Sequence, residues 1–191
     1  MKRWRHEPKL SLSIGRKTRQ AERGKTAYHA GLIRSGGRHS LAMCVAAIEW
    51  RIRMSSVLEI AKSCTLAYNE KNWGKVENLL AADAVYDEIG THRQIRGIGK
   101  IIEAWKGWAG AIPDSRATFV RELASGDTAV LEMIWKGLHS GPLPTPAGVV
   151  AASHKSVELP ACQIVCVRDG KVASVAHYFD FLTLLRQVGA A

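Results

Sequence analysis

Three titratable side chains in the second half of the chain have the chemistry of a general acid or base. Asp180 and His177 lie at the end of the last predicted strand, and Glu132 lies inside an earlier strand that is otherwise apolar. A carboxylate or imidazole held in an apolar cavity can have its pKa shifted towards neutrality, which suits it to move a proton next to a carbonyl group. These three residues are therefore the candidate catalytic groups.

The alternation of side chains along a strand limits how these residues can combine. Asp180 and Tyr178 fall on one side of the last strand and His177 falls on the other. Either side could face a pocket, so Asp180 and His177 are alternative bases, with Tyr178 as a substrate contact beside Asp180. Asp180 also precedes a helical pattern that begins at Phe181, where it would serve equally well as the N-cap of that helix.

Two further polar residues are candidates for contacting a bound molecule. His139 ends the strand that contains Glu132 and precedes a loop rich in Gly and Pro, so it could lie at the rim of a pocket or make an ordinary loop contact. Gln163 stands in the middle of an apolar strand. Its amide could orient a substrate carbonyl, or it could satisfy buried backbone groups.

Three indole rings have the spacing of buried residues. Trp105 and Trp108 follow one stripe of a predicted helix, and Trp135 lies in a predicted strand. Rings placed in this way could line an aromatic cavity for a flat ligand, or they could be part of an ordinary core.

The elements that must position these residues follow from the periodicity of the apolar residues. A capping box formed by Ser56 and Glu59 predicts that the first helix begins there, and Asn72 can cap a second. The segment 84–89 is extended, and a third helix follows Gly97.

Four predicted strands occupy the rest of the chain, and a short helix over 181–188 ends it. The strands are rich in β-branched and aromatic residues and cover 117–123, 128–139, 156–168 and 172–180. Asp169-Gly170 is a strong signal for a tight hairpin between the last two. This order of elements predicts an α+β fold in which helices pack on one face of a curved antiparallel sheet.

The predicted strand at 128–139 is apolar on both of its faces. Val130 and Ile134 lie on one side, and Leu131 and Met133 lie on the other. Helices can cover only one face of a sheet, so the other face is expected to meet a second copy of the chain in a homodimer.

The formal net charge of +10 is concentrated at one end of the chain. Residues 1–53 hold 13 Lys or Arg and 3 Asp or Glu, whereas residues 54–191 hold 14 of each sign. A neutral body lacks the basic surface that binds a phosphate backbone, so no nucleic-acid partner is expected for the second part. The chain is thus predicted to consist of a basic leader over 1–53 and one domain over 54–191.

The leader shows no sustained helical or strand periodicity and is predicted to be disordered. Three interpretations fit its composition: an organellar transit peptide, a basic binding arm, or a mis-annotated segment upstream of a true start at Met54. No run of apolar residues reaches the roughly 18 that a membrane-spanning helix requires, so no membrane partner is expected.

The remaining motifs predict neither a metal nor a cofactor. The four cysteines have no metal-ligand spacing and are predicted to be free thiols, which favours a reducing compartment and hence a cytoplasmic location. The sequence contains no Gly-rich phosphate loop, no nucleophile elbow and no metal-spaced His and Cys set.

Several motifs together resemble the SnoaL-like polyketide cyclase and ester cyclase family, within the nuclear transport factor two-like superfamily. The resemblance spans about residues 56–189, in the family's usual order. It rests on the runs Tyr68-Asn69-Glu70-Lys71-Asn72-Trp73, Ala82-Asp83-Ala84-Val85-Tyr86, Gly137-Leu138-His139-Ser140-Gly141-Pro142 and His177-Tyr178-Phe179-Asp180.

This resemblance implies a cone-shaped, curved antiparallel sheet with three N-terminal-side helices on its concave face and a short C-terminal helix. It also implies a conical cavity, used in several relatives for proton transfer on small hydrophobic carbonyl compounds. The acid and base of the cyclases is an Asp on the last strand, which corresponds to either Asp180 or His177. Tyr86 matches a residue that holds a water or a substrate oxygen in some relatives, and Glu88 stands where those relatives have an Asn.

Two functions follow from the resemblance and the candidate residues. The first is a cofactor-independent cyclase or isomerase that acts next to a carbonyl of a small, polyketide-like molecule. The alternative is a non-catalytic small-ligand-binding or dimerisation module of the same fold, because fold alone does not decide function. A cavity in the usual range of roughly 300 to 1,000 Å³ would favour the enzyme, and a filled one would favour the module.

Overall fold

The computed structural model describes residues 36–145 and 147–191. Its helices are α1 (Gly36–Asn69), α2 (Trp73–Leu79), α3 (Ile98–Ala111) and α4 (Phe181–Val188), with a short 3-10 helix at Ile89–Thr91. Its strands are β1 (Leu80–Glu88), β2 (Arg93–Arg96), β3 (Arg116–Ser125), β4 (Thr128–Leu138), β5 (Leu143–Thr145), β6 (Gly148–Val150), β7 (Ser156–Arg168) and β8 (Lys171–Phe179).

Six of these strands form one sheet in the order β2-β1-β8-β7-β4-β3, while β5 and β6 pair separately. All neighbours in the large sheet are antiparallel except β1 and β8, which run parallel. The predicted α+β class with a mostly antiparallel curved sheet is therefore confirmed. The parallel pair is possible because α3 and the six strands β2 to β7 separate β1 from β8 along the chain, so the two strands are not joined by a hairpin.

The predicted hairpin between β7 and β8 is present. Asp169 and Gly170 both have positive φ angles, 53° and 73°, and Arg168 pairs directly with Lys171. Two successive left-handed residues give the turn a twist that matches the twist of the flanking strands. Asn72 is confirmed as the N-cap of α2, where its side chain accepts a hydrogen bond from the backbone N–H of Lys75.

The sheet buries one face against the helices. Along β4, Ala129, Leu131 and Met133 are fully buried, whereas Val130 and Ile134 on the opposite face are only partly covered. Helix α1 lies over the inner face, and its buried side chains fall on one helical stripe: Val57, Ala61, Cys64, Ala67 and Tyr68. The outer face of β3, β4, β7 and β8 carries partly exposed apolar side chains, among them Val120, Leu123, Ile164 and Tyr178.

The first helix begins earlier than predicted, at Gly36 instead of near Ser56. Ser56 is not an N-cap, because the helix continues through it. Its hydroxyl instead donates to the carbonyl of Arg53, three residues earlier in the same helix. Residues 43–53 of this helix are exposed, and Met54, which follows them, is buried. Residues 1–35, where most of the predicted leader falls, lie outside the described residues, so the interpretations of the leader remain predictions.

None of the helices in the described part of the chain is long and apolar enough to cross a membrane. All four cysteines are free thiols, as predicted; Cys64 is buried and Cys44 is exposed.

Candidate functional site

A cavity opens between the inner face of the sheet and the helices. Its volume is about 80 Å³, which is well below the range usual for sites that enclose drug-sized ligands. Its walls are mainly aromatic and aliphatic. The residues that line it are Thr65, Tyr68, Tyr86, Trp105, Trp108, Ile112, Ser115, Trp135, Val157, Leu159, Gln163, His177, Phe179 and Leu184.

The register of the sheet brings the polar groups of this cavity into one row. Across neighbouring strands, Glu88 is opposite His177, His177 is opposite Gln163, and Gln163 is opposite Leu131. Residues directly opposite each other point to the same face of a sheet. Close to the end of this row, the backbone at Gly90 lies so near to Phe179 that no side chain fits. A Cβ at that position would lie 2.6 Å from the carbonyl oxygen of Phe179.

His177 is the imidazole of the cavity, and both of its ring nitrogens have partners. Trp135 Nε1 donates to His177 Nε2 over 3.3 Å, and the hydroxyl oxygen of Tyr86 lies 2.7 Å from Nδ1. An indole N–H can only donate, so Nε2 is the unprotonated nitrogen and the proton of the neutral ring is assigned to Nδ1. Nδ1–H then donates to Tyr86, whose own hydroxyl donates to Glu88 Oε1 over 3.4 Å.

Burial controls the protonation of these groups. It lowers the pKa of His177 to about 4, so the imidazole is neutral near neutral pH and can accept a proton. Burial also raises the pKa of Tyr86 well above its ordinary value, and the charge of Glu88 raises it further. Tyr86 therefore stays protonated and links the imidazole to the carboxylate.

Glu88 is fully buried, and its carboxylate is held from several directions. It accepts hydrogen bonds from Trp108 Nε1 at 2.6 Å and from the Thr91 hydroxyl at 2.5 Å, and it forms an ion pair with Arg93 at 2.9 Å. A buried carboxylate with a cationic partner and this number of donors is compensated for the loss of water. Glu88 thus supports Tyr86 from behind the cavity wall.

A second polar group lies on another part of the wall, where α1 and the segment before β3 meet. The hydroxyls of Tyr68 and Ser115 are 3.1 Å apart, and Lys71 Nζ donates to the Ser115 hydroxyl at 3.2 Å and to the Ser115 carbonyl at 2.7 Å. Gln163 accepts a hydrogen bond from the Thr65 hydroxyl at 3.0 Å. Lys71 contacts the lining residue Ser115 but does not itself line the cavity, and the polar side chains that do line it are neutral.

Several of the residues proposed from the sequence do line the cavity. These are His177, Tyr86, Gln163, Trp105 and Trp135, together with Trp108. Glu88 shares their face of the sheet and contacts Tyr86, but it lies behind the lining.

Asp180, Tyr178 and Glu132 do not face the cavity, which corrects their proposed roles at this site. Alternation along β8 turns Tyr178 to the outer face, where it is 43% exposed, opposite to His177. Glu132 lies on the same outer face and is 3.6 Å from Arg121. Asp180 is exposed and caps α4, accepting hydrogen bonds from the backbone N–H of Thr183 at 3.0 Å and from its hydroxyl at 2.6 Å.

His139 is also outside the cavity lining. Its side chain is fully buried, with Nδ1 3.0 Å from the Ser153 hydroxyl and 3.3 Å from the Ser153 backbone nitrogen. It holds the loop after β4 in place, which is the loop contact that the sequence left open as an alternative to a rim position.

Eight lining residues were not among the candidates; four of them are aliphatic, and the other four are Thr65, Tyr68, Ser115 and Phe179. Thr65 and Tyr68 lie near the end of the helical stripe of α1, so their side of the helix could be inferred from the sequence. Ser115 lies in the short segment between α3 and β3, where no periodicity indicates direction. Among residues 36–145 and 147–191, no group of three or more His, Cys, Asp or Glu side chains is arranged to hold a metal ion.

Comparison with known proteins places this architecture among related chains. The family model described as SnoaL-like polyketide cyclase matches residues 59–188. Among solved structures, TsrD from Streptomyces laurentii is 26% identical with a TM-score of 0.61, and the match covers 72% of this chain and 97% of that one. No curated protein sequence matches significantly.

Two more distant structures share the fold. A protein of ketosteroid isomerase-like fold from Catenulispora acidiphila, solved with trimethylamine, is 20% identical with a TM-score of 0.59, covering 70% of this chain and 94% of that one. An LEH-like epoxide hydrolase from M. tuberculosis is 20% identical with a TM-score of 0.55, covering 72% of this chain and 95% of that one.

Proposed function

Because this chain belongs to the SnoaL-like polyketide cyclase family, we propose that it is a cofactor-independent enzyme that removes a proton next to a carbonyl group. The observation that carries the proposal is the position of His177. Among the described residues that line the cavity it is the one imidazole, and no carboxylate lies among them. Its pKa of about 4 leaves it neutral and able to accept a proton.

The proposed step uses the lone pair of His177 Nε2. The separation of 3.3 Å from Trp135 Nε1 is long for a hydrogen bond, so a substrate C–H can compete for this nitrogen. The proton moves to Nε2 while the C–H electron pair forms the enolate, with its negative charge on the former carbonyl oxygen. The imidazolium keeps its bond from Nδ1–H to Tyr86, which the Glu88 carboxylate polarises.

The enolate then has two possible fates, which correspond to the two activities predicted from the sequence. Returning the proton from Nε2 to another carbon of the enolate system isomerises the substrate. Attack of the enolate carbon on a second carbonyl of the same molecule closes a ring, and the proton on Nε2 passes to the new alkoxide. Both outcomes balance without a cofactor.

The cavity supports a small, neutral and hydrophobic substrate. Its aromatic walls stack well against flat molecules, and its polar side chains are few. Its volume of about 80 Å³ fits a compact substrate better than a multi-ring polyketide.

A direct test is hydrogen–deuterium exchange at the carbon next to the carbonyl. A panel of small cyclic and aryl ketones would be incubated with the protein in deuterated water, and loss of the α-proton NMR signals would be followed. Wild-type protein should accelerate exchange, and His177→Ala should reduce the enzymatic rate by about 100-fold or more, as is usual for loss of a general base.

Glu132→Gln is the matched control, because Glu132 was a candidate base and lies on the outer face. This variant should catalyse hydrogen–deuterium exchange in the ketones at the wild-type rate. No acceleration for any ketone, or an unchanged rate in His177→Ala, would refute the proposal.

The non-catalytic alternative draws support from the small cavity and from the internal pairing of its polar groups. In that case the protein binds a small apolar ligand without changing it. Ligands from the same panel would then raise the melting temperature without any enzymatic exchange, so the two functions are separated in one set of samples.

We also propose that the outer face of the sheet joins two copies of the chain. This face carries exposed apolar residues, including Val120, Leu123 and Ile164, and both members of the Arg121–Glu132 ion pair. A two-fold interface brings the same patch of both copies together, and a patch that carries both an acidic and a basic side chain can be complementary to its own copy. The four free thiols are consistent with a reducing, cytoplasmic location.

A further inference from the structure

The polar cluster of Tyr68, Ser115 and Lys71 is not used by the proposed proton transfer. Tyr68 and Ser115 are each 7% exposed, and both line the same cavity as His177. The three residues come from the last turn of α1, from the turn that follows it, and from the segment before β3. Packing of the Tyr68 and His177 rings against Trp135 places the cluster one indole away from the proposed base.

The cluster has one hydroxyl proton that no described residue accepts. The two hydroxyls carry two protons between them, and one of these makes the bond between Tyr68 and Ser115, whichever residue donates it. The ammonium of Lys71 can only donate, so it does not take up the other proton. In the described residues neither hydroxyl has a further hydrogen-bond partner, so the remaining O–H is free to donate to a ligand in the cavity that both residues line.

The lysine makes this donor electropositive. Lys71 Nζ lies 3.2 Å from the Ser115 hydroxyl oxygen and 4.2 Å from the centre of the Tyr68 ring. Burial, and then the nearby Arg116, lower the pKa of Lys71 to about 8, while Asp114 opposes the shift; the side chain therefore remains largely charged near neutral pH. A hydroxyl that accepts from a cation is a stronger donor on its other side.

We infer that Tyr68 and Ser115, backed by Lys71, form a hydrogen-bond-donating site for a ligand oxygen that carries negative charge. The ligand class is a flat, apolar molecule with a carbonyl or phenol-type oxygen, bound most tightly as its enolate or phenolate. The identification of that oxygen as a substrate carbonyl rests on the proposed function. In the proposed reaction the site would stabilise the charge that develops on this oxygen.

The inference is tested by binding alone, with para-nitrophenol as the probe, because its phenol and phenolate forms have different absorption spectra. Titrations near neutral pH give the affinity of each form and hence the acidity of the bound phenol. Wild-type protein should bind the phenolate more tightly than the phenol, so the probe becomes more acidic when bound. Absence of binding, or a bound phenol no more acidic than the free one, would overturn the inference without any variant.

Variants then assign the effect to the cluster. Lys71→Met removes the charge and should reduce the preference for phenolate over phenol by about tenfold, the size expected for a hydrogen bond assisted by a charge. Tyr68→Phe combined with Ser115→Ala removes the donors and should weaken binding of both forms.

Lys75→Met is the matched control, because Lys75 is a surface lysine of α2 paired with Glu70. It should retain the wild-type preference. An unchanged preference in Lys71→Met would mean that the lysine only holds the Ser115 carbonyl in place, and the inference would fail. Because binding is measured without turnover, this result is independent of the ketone exchange test of His177.

Discussion

At the scale of single residues, the chemistry of the cavity depends on a histidine that is kept neutral by its surroundings. His177 is 8% exposed, and the indole of Trp135 and the phenol of Tyr86 occupy its two nitrogens. Burial of an imidazole disfavours its charged form, which lowers its pKa to about 4. The same shift that keeps His177 neutral makes the fold sensitive to acid.

The stability of the fold should therefore decrease as the pH is lowered from the pKa of His177 in the unfolded chain to its pKa in the folded protein. The unfolded chain binds a proton near pH 6.5 and the folded protein only near pH 4, so protonation in that window favours unfolding. The stabilising contribution is complete above about pH 6.5 and is lost as the pH falls through the window. Its loss amounts to something on the order of 3 kcal/mol.

The measurement is the free energy of unfolding by urea at a series of pH values for the wild type and for His177→Asn. The variant lacks the titrating ring, so the difference between the two curves should change across this window and be constant above it. Parallel curves would show that His177 does not titrate with a lowered pKa.

At the scale of elements, the junction between β8 and α4 divides two roles between nearby residues. His177 is the proposed base in the cavity, and Asp180 is the N-cap of α4. β8 ends with His177 directed to the cavity and Phe179 packed beside it, with ring centres 5.1 Å apart. Asp180 then leaves the strand and begins α4, and its bond from the Thr183 hydroxyl lowers the pKa of its carboxyl. A carboxylate at this position is an N-cap.

Replacing Asp180 by Ala should destabilise the protein without affecting ketone exchange. The variant leaves the first N–H groups of α4 without their acceptor, so the urea midpoint should fall at an unchanged slope. Asp180→Asn keeps a side-chain oxygen that can accept from Thr183 and should retain most of the stability. Loss of exchange in a folded Asp180→Ala variant would contradict the role assigned to this residue.

At the scale of the whole molecule, the two faces of the sheet have different tasks. The inner face of β4, β7 and β8 forms the cavity and the core with α1, while the outer face leaves Leu123, Ile164 and Tyr178 partly exposed. Ile164 lies on the central strand β7, opposite Val130 on β4. It is therefore well placed to lie near the middle of the proposed interface between two copies.

Wild-type protein is expected to be a dimer in light scattering coupled to size exclusion. Ile164→Asp places two like charges near each other across the two-fold axis and should halve the mass. Val149→Asp is the matched control, because Val149 is 69% exposed on the separate β5–β6 hairpin. A monomeric wild type, or equal masses for wild type and Ile164→Asp, would contradict the proposal.

Local signals in the sequence were sufficient for most of the fold. The N-cap at Asn72, the turn at Asp169-Gly170 and the helix 181–188 were all predicted correctly. Each depends on interactions within a few residues, which the sequence displays directly. The predicted start of α1 was wrong, because Ser56 and Glu59 have the spacing of a capping box but lie within a helix that begins at Gly36.

The sequence by itself determined the order and type of the main elements, the alternation along β8 and the family, but it gave no signal for the short strands β2, β5 and β6. Alternation placed His177 and Asp180 on opposite sides of the chain, but it could not show which side is inside, because that depends on packing against α1. Only the tertiary structure set β1 parallel to β8, which brings Glu88 opposite His177. It likewise joined Lys71 to Ser115, 44 positions apart, since contacts between distant segments leave no local pattern.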